Sequence, residues 1–261
     1  MPLEQFFFTF FLHVIHNILD FFEWFNVNVI QKKKFFQKWF FHYQNISEDF
    51  DYLCSVKLIK TPNHIALAFL ESSISIDDIA KLVIWGISSG STCISLYDYH
   101  GFLKLHQIEL QNRLTRLNKN LPQNLFRIKW YCNDRQIEQL NGNGSALNYT
   151  KIINICLLSK DDGKPDIVQA AQCLARKVAD GTLIVENVNE TVLASALSAN
   201  RGLSDPELLL RFGMARSNVG FPPWQIRLTE IHDIDTHHGI ILEDYFQKLK
   251  KYSDCEQRFG R

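Results

Sequence analysis

From His64 onward the chain alternates short apolar runs with amphipathic stretches, and this alternation restricts the possible folds more than any other feature of the sequence. "HIALAFL" (His64 to Leu70) is an unbroken apolar run of strand length, as expected of a strand covered on both faces. Ser75 then opens a stretch with Asp78 three residues on, a helix start of the capping-box kind. Ile76, Ile79, Ala80, Val83 and Ile87 follow at helical spacing, and Gly90 closes the segment. "TCISLY" (Thr92 to Tyr97) reads as the next strand, residues 107–120 as a helix, and "FRIKWYC" (Phe126 to Cys132) as a strand. "KIINICLL" (Lys151 to Leu158) is another strand, followed by helices over Asp166 to Ala179 and Val192 to Ala199. "ELLLRF" (Glu207 to Phe212) and "WQIRLTEI" (Trp224 to Ile231) are expected to complete the strands. A last helix is expected from Leu242 to Cys255, with Leu242, Tyr245, Phe246, Leu249 and Tyr252 on one face. The pattern predicts an α/β domain with a mostly parallel central sheet of about six strands flanked by helices.

The amino-terminal end is of another kind. "FFFTFFLHVIHNILDFFEWFNVNVI" (Phe6 to Ile30) is dense in phenylalanine and precedes Lys32, Lys33 and Lys34. As a helix it would extend about 37 Å, more than the roughly 30 Å of a hydrocarbon layer. His13, His16, Asn17, Asp20 and Glu23 interrupt it, and a carboxylate at mid-bilayer costs about 2.5–3.5 kcal/mol. A cleaved signal peptide is not expected, because a basic start and a small-residue cleavage site are both missing. A spanning helix, an interfacial helix and a re-entrant anchor all fit, with a soluble helix as the alternative that leaves many phenylalanines to cover. We expect residues 1–30 to be a hydrophobic membrane anchor, 31–60 a juxtamembrane connector, and 61–261 the α/β domain. The lysines place the body on the cytosolic side.

Composition excludes some functions. The 28 basic and 28 acidic side chains cancel, so the broad positive field that nucleic-acid binding requires is missing and any anion site must be local. The six cysteines are scattered singly without a C-x-x-C pair, which suits a reducing compartment and not a zinc knuckle or a disulfide scaffold. Asn-x-Ser/Thr sequons at Asn45, Asn143, Asn148 and Asn189 point the other way, toward secretion, but such sequons arise by chance in Asn-rich chains.

Familiar catalytic patterns are missing: there is no Walker loop, no dinucleotide-binding glycine motif and no G-x-S-x-G elbow. "HDIDTHH" (His232 to His238) has metal-capable spacings but reads as a polar loop before the last helix, so no metal site is assigned. "NGNGSALN" reads as a hairpin connection in preference to a phosphate cradle. Arg211-Phe212-Gly213 stands where a strand ends, the place at which open α/β sheets bind ligands, and the same tripeptide recurs as Arg258-Phe259-Gly260 in the tail. Arg211 could equally be an arginine paired with a neighbouring helix, so from the residues alone the chain is a cytosol-facing, membrane-tethered α/β domain with an anionic-ligand hint at its C-terminus.

The stretch "DPELLLRFGMARSNVGFPPWQIRLTEI" (Asp205 to Ile231) resembles a signature segment of the cis-prenyltransferases. "SLYDYHG" (Ser95 to Gly101), "GKPDIVQAAQ" (Gly163 to Gln172) and the ending "CEQRFG" are similar to the Nogo-B receptor branch of that family, the partner subunits of dehydrodolichyl diphosphate synthase. The likeness covers roughly Thr61 to Arg261 and implies a cis-prenyltransferase-like fold. It also shows what has been lost. Active members carry H-V-A-x-I-M-D-G-N-x-R-W, whose Asp handles the diphosphate–magnesium complex; here Leu70 takes the Asp position, and an apolar side chain cannot ligate a hard cation. In the second motif Arg211 and Gly213 match, while the second Arg and the Ser of the family fall on Ser217 and Val219.

The resemblance therefore implies no catalytic and no metal-binding residue in this chain. It implies that Arg258, Phe259 and Gly260 match the Arg-x-Gly that reaches a neighbouring subunit's site and holds isopentenyl diphosphate there. Phe221, Trp224, Gln225, Arg227 and Glu230 match the block that lines the subunit interface, with ordinary core as the other reading, above all for Trp224. The implied partners are a catalytic dehydrodolichyl diphosphate synthase subunit and, through the complex, isopentenyl and farnesyl diphosphates. Mg2+ would sit in the partner's site, and the complex would lie at the endoplasmic reticulum membrane, supplying dolichol for protein glycosylation. The alternative is a membrane-anchored receptor or lipid-binding scaffold without a role in prenyl transfer.

Overall fold

The computed structural model describes residues 14, 15, 17, 18, 46–119, 121, 126–132, 135–138 (backbone only), 151–197 and 203–256. The chain divides into two units, Met1–Gln44 and Asn45–Arg261. In the first, the described residues are helical and Val14, Ile15 and Ile18 are exposed. Most of the expected anchor lies outside the described residues; among those described, no helix is long and apolar enough to cross a membrane.

The second unit is built on a sheet ordered β4-β3-β5-β2-β1-β6-β7. Its strands are β1 (His64–Phe69), β2 (Cys93–Asp98), β3 (Phe126–Cys132), β4 (Arg135–Glu138), β5 (Lys151–Leu158), β6 (Leu208–Phe212) and β7 (Glu230–Ile234). Six strands run parallel, five of them where the sequence placed them, and β4 adds an antiparallel edge to β3. Every residue of β1 and β2 is buried, which is why their sequences show continuous apolar character and no alternation.

Side-chain alternation sends Ile65, Leu67 and Phe69 into one core and Ala66 and Ala68 into another on the opposite face. The larger core is covered by α1 (Ile46–Ser55), α2 (Ile76–Ser88), α3 (Phe102–Leu105), α4 (Gln107–Lys119) and α7 (Leu242–Asp254). The smaller core gathers Tyr97, Tyr131, Cys156, Leu158, Leu209 and Phe221. Of the two remaining helices, α5 (Lys164–Ala179) buries only Asp166, Ala170 and Leu174, and α6 (Glu190–Ala196) buries nothing fully.

Helix α2 starts as its sequence suggests. Ser75 Oγ accepts from the Asp78 amide and donates to its carboxylate, and Asp77 and Asp78 oppose the positive end of the helix dipole. Trp85 of α2 is fully buried and donates its indole N–H to Asp49 of α1 at 3.0 Å. Desolvation pushes the Asp49 carboxyl up, and the Trp85 hydrogen bond counters it.

Two expectations need correction. The stretch 46–55, read as part of an aperiodic connector, is a helix whose Phe50 and Leu53 enter the main core. The strand expected over Trp224–Ile231 is a single 310 turn at Pro223–Gln225 followed by β7, which begins only at Glu230. Pro222 and Pro223 supply no amide hydrogens for a ladder, so Phe221 and Ile226 pack on the second core from a loop.

Candidate functional site

The sequence motifs converge at the carboxyl ends of β1, β6 and β7. The Leu70 amide donates to Phe212 O at 2.9 Å, and the Gly213 amide donates to Ile234 O at 3.1 Å, so the three strand ends are tied together. Gly213 has φ +116° and lies so close to the β1 loop that a Cβ would meet Glu71 Cγ at 3.2 Å and the Leu70 carbonyl at 3.3 Å. Leu70 itself packs against the smaller core.

Beside Leu70, Glu71 turns its carboxylate onto donors of the same chain. It accepts from the His237 amide at 2.9 Å and from His237 Nδ1. Burial alone would raise the Glu71 carboxyl; hydrogen bonds from the His237 ring, Thr236 and the His237 amide outweigh it and hold the group below its ordinary value. His237 is fully buried and its Nε2 accepts from the Ser75 amide at 2.9 Å, which places the ring proton on Nδ1, facing Glu71. His238 Nε2 lies 3.0 Å from both Ser73 Oγ and Ser73 O. Glu71, His237 and His238 have potential ligand atoms within 4.8 Å of one another. Both nitrogens of His237 are already engaged, however, so the group acts as a latch between the β1 loop and the loop before α7.

Arg211, the motif arginine, is equally committed. Its Nε and Nη2 lie 2.8 and 3.2 Å from the two Asp233 carboxylate oxygens, and Nη1 donates to Asn218 Oδ1 at 3.2 Å. Arg216 adds a 3.6 Å contact to Asp233 and a 3.1 Å pair with Asp235. A diphosphate approaching Arg211 would have to displace a two-point carboxylate contact. The following loop is pinned as well: Val219 takes φ +36°, a strained value for a β-branched residue, and its carbonyl accepts from the Tyr97 hydroxyl at 2.5 Å. Gly163, in the block "GKPD", backs onto this loop so closely that a Cβ would stand 2.4 Å from Gly220 O.

The residues assigned to an interface separate into two groups. Phe221 and Gln225 are buried in this chain's own structure, Phe221 with its ring 5.2 Å from Tyr97. Trp224 is half-buried with the Arg227 guanidinium 5.6 Å from its ring centre, and Arg227 is exposed, contacting Glu190 and Asp205. Glu230 is half-buried, 2.9 Å from His232 Nε2.

Arg258, Phe259 and Gly260 lie outside the described residues, but the root of the tail is within them. Cys255 follows α7 in extended conformation, and its thiol is pushed up chiefly by a hydrogen bond with Glu230, the first residue of β7. The tail thus leaves beside the amino end of β7, whereas the motifs converge at the carboxyl ends. At about 3.3 Å per strand residue the two levels are roughly 13 Å apart. Sequence reasoning missed Glu71, Asp233 and His237 as the residues that pair across these strand ends. Their separations along the chain, such as 166 residues between Glu71 and His237, leave no local signal.

This arrangement defines the protein class: an α/β protein of cis-prenyltransferase fold in which Glu71 with His237 and Arg211 with Asp233 pair within the chain at the carboxyl ends of the strands. No protein-family model matches the chain. It is similar in structure to lavandulyl diphosphate synthase from Lavandula x intermedia, solved with dimethylallyl diphosphate, at TM-score 0.55 and 17% identity over 77% of this chain and 99% of that one. In sequence it is 26% identical over 211 residues to a Legionella pneumophila ditrans,polycis-undecaprenyl-diphosphate synthase, covering 71% of this chain and 84% of that enzyme. It is 37% identical over 209 residues to the human dehydrodolichyl diphosphate synthase complex subunit NUS1, covering 78% of this chain and 68% of the human one. The chain belongs to the NUS1 family of dehydrodolichyl diphosphate synthase complex subunits.

Proposed function

We propose that this chain is the non-catalytic, activating subunit of a dehydrodolichyl diphosphate synthase complex, and that it donates its carboxy-terminal Arg-x-Gly to the catalytic partner. The observation that carries this reading is the contrast between strand ends where Glu71–His237 and Arg211–Asp233 pair within the chain and a tail rooted at the other end of the sheet. Leu70 does not suit a magnesium ion, so Mg2+ and farnesyl diphosphate belong with the partner. Arg258 and the Gly260 backbone hold the diphosphate of incoming isopentenyl diphosphate, a charge-assisted contact contributing about 1.5–3 kcal/mol. Felt in the transition state, that is roughly 10–100-fold in rate. Trp224, Arg227 and Glu230 meet the partner, with Phe221 and Gln225 supporting them from beneath. The amino-terminal segment fixes the complex at the endoplasmic reticulum membrane with the body in the cytosol.

The test is co-expression with the catalytic subunit and an isopentenyl-incorporation assay. Arg258→His leaves the complex assembled and lowers turnover at least about tenfold. Unchanged turnover removes the role of the tail and returns the chain to the scaffold reading.

A further inference from the structure

Helix α7 ends at Asp254, and the root of the tail is held by a segment that precedes the sheet altogether. The Ile59 and Lys60 amides both donate to Ser253 Oγ, at 2.9 and 3.3 Å. Lys60 Nζ lies 4.6 Å from the Tyr252 ring centre and donates to the carbonyl of Cys255. The Tyr252 hydroxyl donates to Glu207 at 2.9 Å, and the same carboxylate oxygen accepts from the Asn63 amide at 3.1 Å. Ser253 is almost fully buried, whereas the neighbouring Ile59 side chain is exposed. The last turn of a helix leaves carbonyls without partners and a negative dipole end. Lys60 places one donor and one positive charge just past that end, on Cys255, the residue from which the tail departs.

Resting on the reading of the tail given above, we propose that Lys60, seated by Ser253, is a positioning residue for the reaction of the complex: it fixes the exit direction of the tail at Cys255 and so aims Arg258 at the isopentenyl diphosphate. The lever is short. Arg258 follows Cys255 by three residues, so it can lie no more than about 10 Å along the chain from the root. A root left free to reorient enlarges the space that the guanidinium must search and weakens catalytic positioning. Lys60 need not touch substrate to matter.

The experiment uses the full complex of both subunits and compares Lys60→Met, Lys60→Arg, Ser253→Ala and Arg258→Ala. Lys60→Met lowers kcat/KM for isopentenyl diphosphate about three- to tenfold while KM for farnesyl diphosphate and the subunit dissociation constant stay within about twofold. Lys60→Arg recovers most of the loss, and Ser253→Ala reproduces part of it. Wild-type kinetics for Lys60→Met beside an impaired Arg258→Ala overturns the positioning role and leaves the tail reading standing. Wild-type kinetics for Arg258→Ala overturns both. Loss of assembly, or equal shifts in both substrates, makes Lys60 an ordinary structural residue and ends the proposal.

Discussion

The two ends of the parallel sheet carry similar residue types and use them differently. At the carboxyl ends, Arg211, Glu71 and His237 are each matched by a partner from the same chain, so charge and hydrogen-bonding capacity are consumed internally. At the amino ends, Lys60, Ser253 and Glu230 surround the point where the chain leaves its own fold. A site motif that persists in sequence can therefore have changed employment. Arg211 still matches its family position, yet it now holds β6 to β7. What separates a binding arginine from a structural one is whether a carboxylate has been placed opposite it.

Three measurements test whether the two ends are this distinct. The largest effect is expected at the amino end, where His64 opens β1. Burial pushes its imidazole down to about 4 from 6.5, with the Ser204 carbonyl pulling the other way. Nδ1 donates to Ser204 O at 2.5 Å and Nε2 accepts from Ser95 Oγ at 2.9 Å, so the folded state holds the ring neutral. The unfolded chain binds the extra proton first. The associated stability is complete above pH 6.5 and is lost as pH falls toward about 4, on the order of 3 kcal/mol in all. Urea midpoints for the wild type and His64→Gln should converge over that window; parallel curves would remove His64 as the cause.

A smaller effect is expected at the carboxyl ends. Glu71→Ala strands the His237 amide and Nδ1–H, costing about 1–3 kcal/mol of stability with turnover of the assembled complex within about twofold. A turnover loss without destabilisation would show that these strand ends still take part in chemistry. The smallest stability change is expected for Arg227→Ala, whose ion pairs with Glu190 and Asp205 are exposed: less than about 1 kcal/mol for the isolated chain. Subunit affinity should nonetheless fall about three- to tenfold, since an arginine stacked on Trp224 suits an interface. Unchanged affinity places the contact surface elsewhere.

Much of the fold was legible because β1, β2, β5 and β6 are apolar runs and α2, α4, α5 and α7 carry helical periodicity. Helix α1 escaped because its inward face includes Asp49, a polar residue whose burial makes sense only with Trp85 opposite. Strand β7 escaped because His232 and Asp233 give it no apolar signature, while the apolar run just before it belongs to a proline-bent loop. For the site, composition and spacing supplied only the two Arg-Phe-Gly tripeptides. Resemblance supplied the meaning of Leu70 and of the tail. The latches at the strand ends depend on pairs distant in sequence, visible only once the sheet brings them side by side.

The Glu71–His237 latch has an arithmetic outcome. On the proposed reading, in which this chain's own strand-end side chains pair with one another and the partner supplies the chemistry, a tight-binding substrate mimic should saturate at one molecule per two polypeptides. On the same reading, raising the amount of this chain beyond that of its partner should add no capacity, whereas removing it should lower the partner's turnover.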